Sequence, residues 1–249
     1  MADYNAFPRT GAANTRTAQY DEGLRTYMNK VYGLMSVGMV LTAITAWGLN
    51  QLAVGSDGNA TQFGMMLYHS PLKWVVMFLP LVMVFAFGAA ISRLSVGAAT
   101  ILFYAFAVAM GASISWIFLA YAQMSIATTF LATAGGFAAL SLYGYTTKRD
   151  LSGMGRFLMI GLIGLIIAML VNLFVQSSAV QFAVSAIGVL IFAGLTAYDT
   201  QNIKNTYLQM RDSGDDFLGK SAIMGALTLY LDFLNLFMFL LQFMGNRNN

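Results

Sequence analysis

Two aspartates stand inside apolar runs near the end of this 249-residue chain. One lies in Gly194-Leu-Thr-Ala-Tyr-Asp-Thr-Gln201, the other in Leu229-Tyr-Leu-Asp-Phe-Leu-Asn235. A carboxylate at the centre of a membrane-spanning helix costs about 3 kcal/mol on insertion scales, so an acid kept there marks a site. The other acids occupy ordinary solvated positions. Asp3, Asp21 and Glu22 precede the first apolar run, Asp57 follows it, and Asp150, Asp212, Asp215 and Asp216 fall in polar connections. Asp199 and Asp232 are left as the residues that could do chemistry.

Two carboxyls that meet in a low dielectric titrate as one unit and can share a proton, which makes the pair a pH sensor. Without that proton they offer hard oxygens of the kind Ca²⁺ takes, so Asp199 and Asp232 are also the candidate metal ligands. Asn235 lies one turn beyond Asp232, and Tyr198 and Tyr230 flank the pair. These three could add oxygen ligands or hydrogen bonds. The bland alternative is a helix-to-helix clamp that holds one permanent proton. Presenilin-type intramembrane proteases also pair two aspartates, and Tyr198-Asp199 fits half of their pattern. No glycine precedes Asp232, however, and the only prolines are Pro8, Pro71 and Pro80, so the required proline after it is missing. The chain therefore reads as a non-enzyme.

The composition says what must position the pair. Hydrophobic residues make up 58% and charged residues 9%, against about 25% charged in soluble domains. Mean hydropathy is +0.68. This is an all-α membrane protein rather than a soluble one. The 13 Lys and Arg residues are scattered between apolar runs, so they report topology and not nucleic-acid binding. With no cysteine, disulfides, thiolate ligands and thiol nucleophiles are excluded. The single histidine, His69, sits in a connection. No cofactor is expected beyond Ca²⁺ as a transported ion.

A span needs about 20 apolar residues, and seven such runs are present: Val31–Ala53, Trp74–Ser92, Val96–Tyr121, Ile126–Thr146, Phe157–Val175, Val180–Gln201 and Ile223–Gly245. Residues 1–24 read as a flexible cytosolic tail, without the apolar core of a cleaved signal, and 25–249 as one seven-helix transmembrane domain. Arg9, Arg16, Arg25 and Lys30 precede the first span. Arg93, then Lys148, Arg149 and Arg156, then Lys204, Arg211 and Lys220 fall on that same side, against Lys73 and Arg247 on the other. This asymmetry predicts a cytoplasmic N-terminus and an outer C-terminus. Trp47, Trp74 and Trp116 all fall near the outer ends, as interfacial anchors do.

Small residues at four-residue spacing, Ala107, Gly111 and Ser115 on the third span and Ala132 with Gly136 on the fourth, predict packing faces. Pro80 should bend the second span. The 17 methionines read as adaptable packing. Counted from Lys220, Asp232 lies about 18 Å along the helix, too deep to face Asp199, unless the first turns project into the cytosol and the membrane segment begins near Gly225.

Four runs carry a resemblance to a known family: Leu24-Arg-Thr-Tyr-Met-Asn-Lys-Val-Tyr-Gly33, Ser141-Leu-Tyr-Gly-Tyr-Thr-Thr-Lys-Arg-Asp-Leu-Ser-Gly153, Gly194 to Gln201, and Gly225-Ala-Leu-Thr-Leu-Tyr-Leu-Asp-Phe-Leu-Asn-Leu-Phe237. From Leu24 to Arg247 the chain resembles the transmembrane Bax-inhibitor-motif (Bax inhibitor-1-like) family, in its bacterial inner-membrane branch. The resemblance implies seven helices with the last at the centre. It also implies a pH-sensitive Ca²⁺ leak channel controlled by a di-aspartyl pair, which Asp199 and Asp232 match. A basic latch on the first aspartate corresponds to Arg93. The resemblance keeps one alternative open, partnership with a membrane-anchored AAA protease or a stress-regulatory role, and H⁺-coupled cation exchange is a third reading. The expected surroundings are the lipid bilayer, Ca²⁺ and H⁺.

Overall fold

The computed structural model describes residues 10–55 and 58–247, with side chains from Glu22 onward. Asp57 and residues 1–9 of the stretch read as a tail lie outside the described residues. The elements are α1 (Thr10–Ala53), α2 (Gln62–His69), α3 (Leu72–Ala90), α4 (Val96–Ile114), α5 (Ile117–Ala120), α6 (Gln123–Thr146), α7 (Ser152–Val175), α8 (Ser178–Met210) and α9 (Asp215–Met244). All seven expected spans are present, with α4 and α5 together forming the third. Helix α1 starts at Thr10, so residues 10–24 of the expected tail are helical.

Local chemistry sets the breaks. Ser95 and Ser177 cap α4 and α8 by accepting the amides of Ala98 and Val180 at 3.2 and 3.4 Å, satisfying donors that a helix start leaves open. Gln176 closes α7 in the left-handed region at φ 52°. Between α8 and α9 only residues 211–214 intervene, and Gly214 makes the turn at φ 92°, a conformation that costs glycine little. Asp215 and Asp216 occupy the first turn of α9, where carboxylates favour the helix dipole. Helix α2 forms inside the first long connection. Thr61 caps it by accepting Gly64 N at 3.1 Å, and Gly64 lies against the Ala53 carbonyl.

The spans differ sharply in exposure. The apolar stretch of α9 is 67% buried and that of α7 only 6%. Phe157, Ile160 and Phe174 on α7 are wide open, an apolar surface that belongs in lipid. Helix α9 packs on α1, α4, α6 and α8. One core gathers Phe103, Phe106, Tyr230 and Phe233 from α4 and α9 with α1 and α6 around them. A second gathers Leu165, Phe192, Leu195, Leu236 and Phe239 from α7, α8 and α9.

The third span packs as its small residues predict. Thr42 of α1 donates to the Ala107 carbonyl at 2.9 Å, and a Cβ on Gly111 would meet the Thr42 carbonyl. The fourth does not. Ala132 and Gly136 face outward, with open space beside Gly136. The buried face of α6 is Thr129, Thr133, Phe137, Ser141 and Gly144, and Gly144 is pressed against the Ala197 carbonyl of α8.

Candidate functional site

Helices α8 and α9 form an antiparallel hairpin whose register can be followed contact by contact. Next to the turn, Gly225 lies against Ile203. Far from it, Phe192 stacks on Phe239 at 5.7 Å, Gly188 lies against the Phe239 ring, and the Ser185 hydroxyl reaches Gln242 at 3.4 Å. Asp199 and Asp232 fall between these contacts, and their carboxyl groups are within hydrogen-bonding contact of each other. Helix α9 starts at Asp215, ahead of Gly225, near which the membrane segment is expected to begin.

Asp232 is 5% exposed and Asp199 half-buried. The Oδ2 atom of Asp232 is buried with no hydrogen-bond partner. Ionised carboxylates only accept hydrogen bonds, so two in contact need a proton between them. Among the described residues, no third His, Cys, Asp or Glu joins them to form a metal cluster.

The three supporting residues point elsewhere. The Tyr198 ring lies against Gly155 of α7. The Tyr230 hydroxyl bonds Thr42 at 2.6 Å, with its ring edge-on to Phe103 and Phe106. Asn235 donates back to the Leu231 carbonyl at 2.8 Å. The latch is not closed either. Arg93 lies exposed in the turn after α3 and forms no ion pair with either aspartate; the ion pairs among the described residues are Arg211–Asp212 and Lys220–Asp216. Distance explains this. The neighbouring Ser92 carbonyl takes the Lys220 ammonium at 3.4 Å, and Lys220 lies 12 residues, about 18 Å along the helix, from Asp232.

Directly after Asp199, a set of α8 side chains reaches α6 and the α6–α7 connection. Thr200 bonds Ser141 at 2.9 Å, which in turn bonds Tyr32 of α1. Gln201 accepts Leu151 N and donates to the Arg149 carbonyl, both at 2.8 Å. Lys204 donates to the Tyr145 carbonyl at 2.6 Å. Asp150 in the same connection accepts Ser152 N at 2.9 Å, and the Ser152 hydroxyl and amide beside it hold its carboxyl below the usual range. Gln201 and Lys204, polar residues two and five places after Asp199 in one helix, were the signal in the sequence for this clasp.

Seven helices long and apolar enough to cross a membrane make this a multi-pass membrane protein, with a carboxylate pair between its last two helices. The chain belongs to the Bax inhibitor-1-like family: the family model described as inhibitor of apoptosis-promoting Bax1 matches residues 24–249. It is 45% identical over 241 residues to inner membrane protein YbhL of Escherichia coli, covering 97% of this chain and 98% of that one. It is 42% identical over 250 residues, the full length of both, to protein RP147 of Rickettsia prowazekii. With YrjE of Lactococcus lactis the identity is 36% over 227 residues, 91% and 93% of the two chains.

Proposed function

We propose that this chain is an inner-membrane, pH-sensitive Ca²⁺ leak channel gated by the Asp199–Asp232 pair, with its N-terminus cytoplasmic, its C-terminus outside and α9 at the centre of the bundle. The observation that carries the proposal is the contact between the buried Asp232 carboxyl and the half-buried Asp199 carboxyl, the former keeping an oxygen with no partner. A proton held there keeps α8 and α9 together. When it leaves, two charges at about 4 Å and an effective dielectric of 20 repel by about 4 kcal/mol, enough to move a two-state seam by more than a hundredfold.

The route outward from the pair is filled by Phe192, Leu195, Leu236 and Phe239, so conduction requires that seam to part. Ca²⁺ is cargo here and not a resident metal. It takes 6–8 oxygens in a tight site, and two carboxylates without further acidic ligands hold it weakly enough to release it, as conduction demands. Arg93 can act as a latch only in a state where the end of α3 has moved toward Asp199.

The test is Ca²⁺ flux into liposomes that hold the purified protein, scanned over pH. A flux above empty liposomes that changes with pH supports the leak. Absence of flux at every pH refutes it and leaves function through a protein partner, such as a membrane-anchored AAA protease, ahead. Flux that drives H⁺ the other way in fixed proportion would make the protein an exchanger instead.

A further inference from the structure

Helices α1 and α6 both pack on α8 and α9, and an open cavity of about 590 Å³ is lined mainly by α1 and α6. Its walls are apolar, with Met28 and Met35 from α1, Phe137 and Ala138 from α6, and Phe233 of α9 at the floor. The two hydroxyls that line its middle, Tyr32 and Ser141, bond each other at 2.5 Å and so present no unmet polar group. One end is different: Arg25 and Asn29 line it together with Tyr145. Lys204 sits over the Tyr145 ring at 5.6 Å. Among the described residues Arg25 pairs with no carboxylate.

The dimensions fit one leaflet. The α1 wall runs from Arg25 to Ser36 and the α6 wall from Ala134 to Tyr145, each a rise of about 16 Å at 1.5 Å per residue. That is half of the ~30 Å hydrocarbon core. The cationic end is where a headgroup phosphate lies, and arginine presents a fork of donors suited to phosphate oxygens.

We propose that this groove binds one anionic phospholipid, with its phosphate at Arg25 and Asn29 and an acyl chain laid along Met28, Met35, Phe137 and Phe233. The chain would then rest beside the carboxylate pair, since Phe233 adjoins Asp232 and Ser141 bonds Thr200 next to Asp199.

The test uses the full-length protein reconstituted in mixed phosphatidylglycerol and phosphatidylcholine vesicles, extracted into detergent and weighed intact by mass spectrometry. The wild type should retain one phosphatidylglycerol and no phosphatidylcholine. Arg25→Gln, an exposed change that leaves the fold alone, should weaken retention about tenfold, or about 1.4 kcal/mol. Ala138→Phe should abolish it by filling the groove, and Lys73→Gln at the opposite end should leave it intact. Equal retention of both lipids, or unchanged retention in Arg25→Gln, overturns the proposal. So does a wild-type dimer that Ala138→Phe dissociates, because the occupant is then a second copy of the chain. None of these readouts involves ion flux, so failure of the Ca²⁺ leak leaves them standing.

Discussion

Gln201 is the residue whose removal should be felt most locally. Its carboxamide makes two hydrogen bonds of 2.8 Å, accepting from Leu151 N and donating to the Arg149 carbonyl. The two ends differ in what replaces them. Arg149 is exposed, so water can take its carbonyl. Leu151 is 6% exposed, and its amide would be left buried without an acceptor at a cost of about 1–3 kcal/mol. Gln201→Met, similar in shape, should therefore destabilise the α6–α7 connection by about 2 kcal/mol. That corresponds to roughly thirtyfold faster exchange of the Leu151 amide. Amide hydrogen exchange, followed by mass spectrometry on peptides covering residues 147–155, reads this directly. Equal protection in wild type and Gln201→Met would show that the clasp does not hold the connection, and with it the link from that connection to Asp199 would fall.

Three further outcomes follow from the packing and the charges. Gly144→Val should separate α6 from α8, because any Cβ there collides with the Ala197 carbonyl; overpacking of this kind costs about 1–3 kcal/mol. Gly136→Ala, facing open space, should be neutral or stabilising by up to about 1 kcal/mol, and thermal unfolding in detergent separates the two. Because the chain has no cysteine, Ser213→Cys and Asn59→Cys each introduce a lone thiol. An impermeant maleimide added from outside should label Asn59→Cys and spare Ser213→Cys, and the reverse pattern would invert the topology. Arg93 stands clear of both aspartates, so Arg93→Ala should change liposome Ca²⁺ flux by less than about twofold, or about 0.4 kcal/mol. A larger rise would reveal a latched state other than the one described.

The pair was legible in the sequence because charge inside an apolar run is costly and therefore rare, so two aspartates could be singled out by elimination. Its supporting cast was not, because which way a side chain faces depends on helix rotation that hydropathy does not record. A helix turns about 100° per residue. Tyr198 is thus swung from Asp199 onto α7, and Tyr230, two residues from Asp232, lies nearly opposite it and faces α1 and α4. Asn235 shares a face with Asp232 but spends its donor on its own backbone. The spans were legible and their ends were not. Hydropathy stops where apolar residues stop, whereas α8 and α9 continue as polar helix to Met210 and from Asp215. On α6 more than one series of small residues recurs every four positions, and only tertiary packing decides that Thr129, Thr133 and Phe137 turn inward while Ala132 and Gly136 meet lipid.

The pH dependence of Ca²⁺ flux through the double-replacement cycle Asp199→Asn, Asp232→Asn and both together tests the central claim most directly. If the two carboxyls titrate as one unit, each single replacement should flatten the wild-type pH response, and the double should add little to either, a large non-additivity between contacting residues. An unaltered flux and pH response in the double replacement would contradict the account.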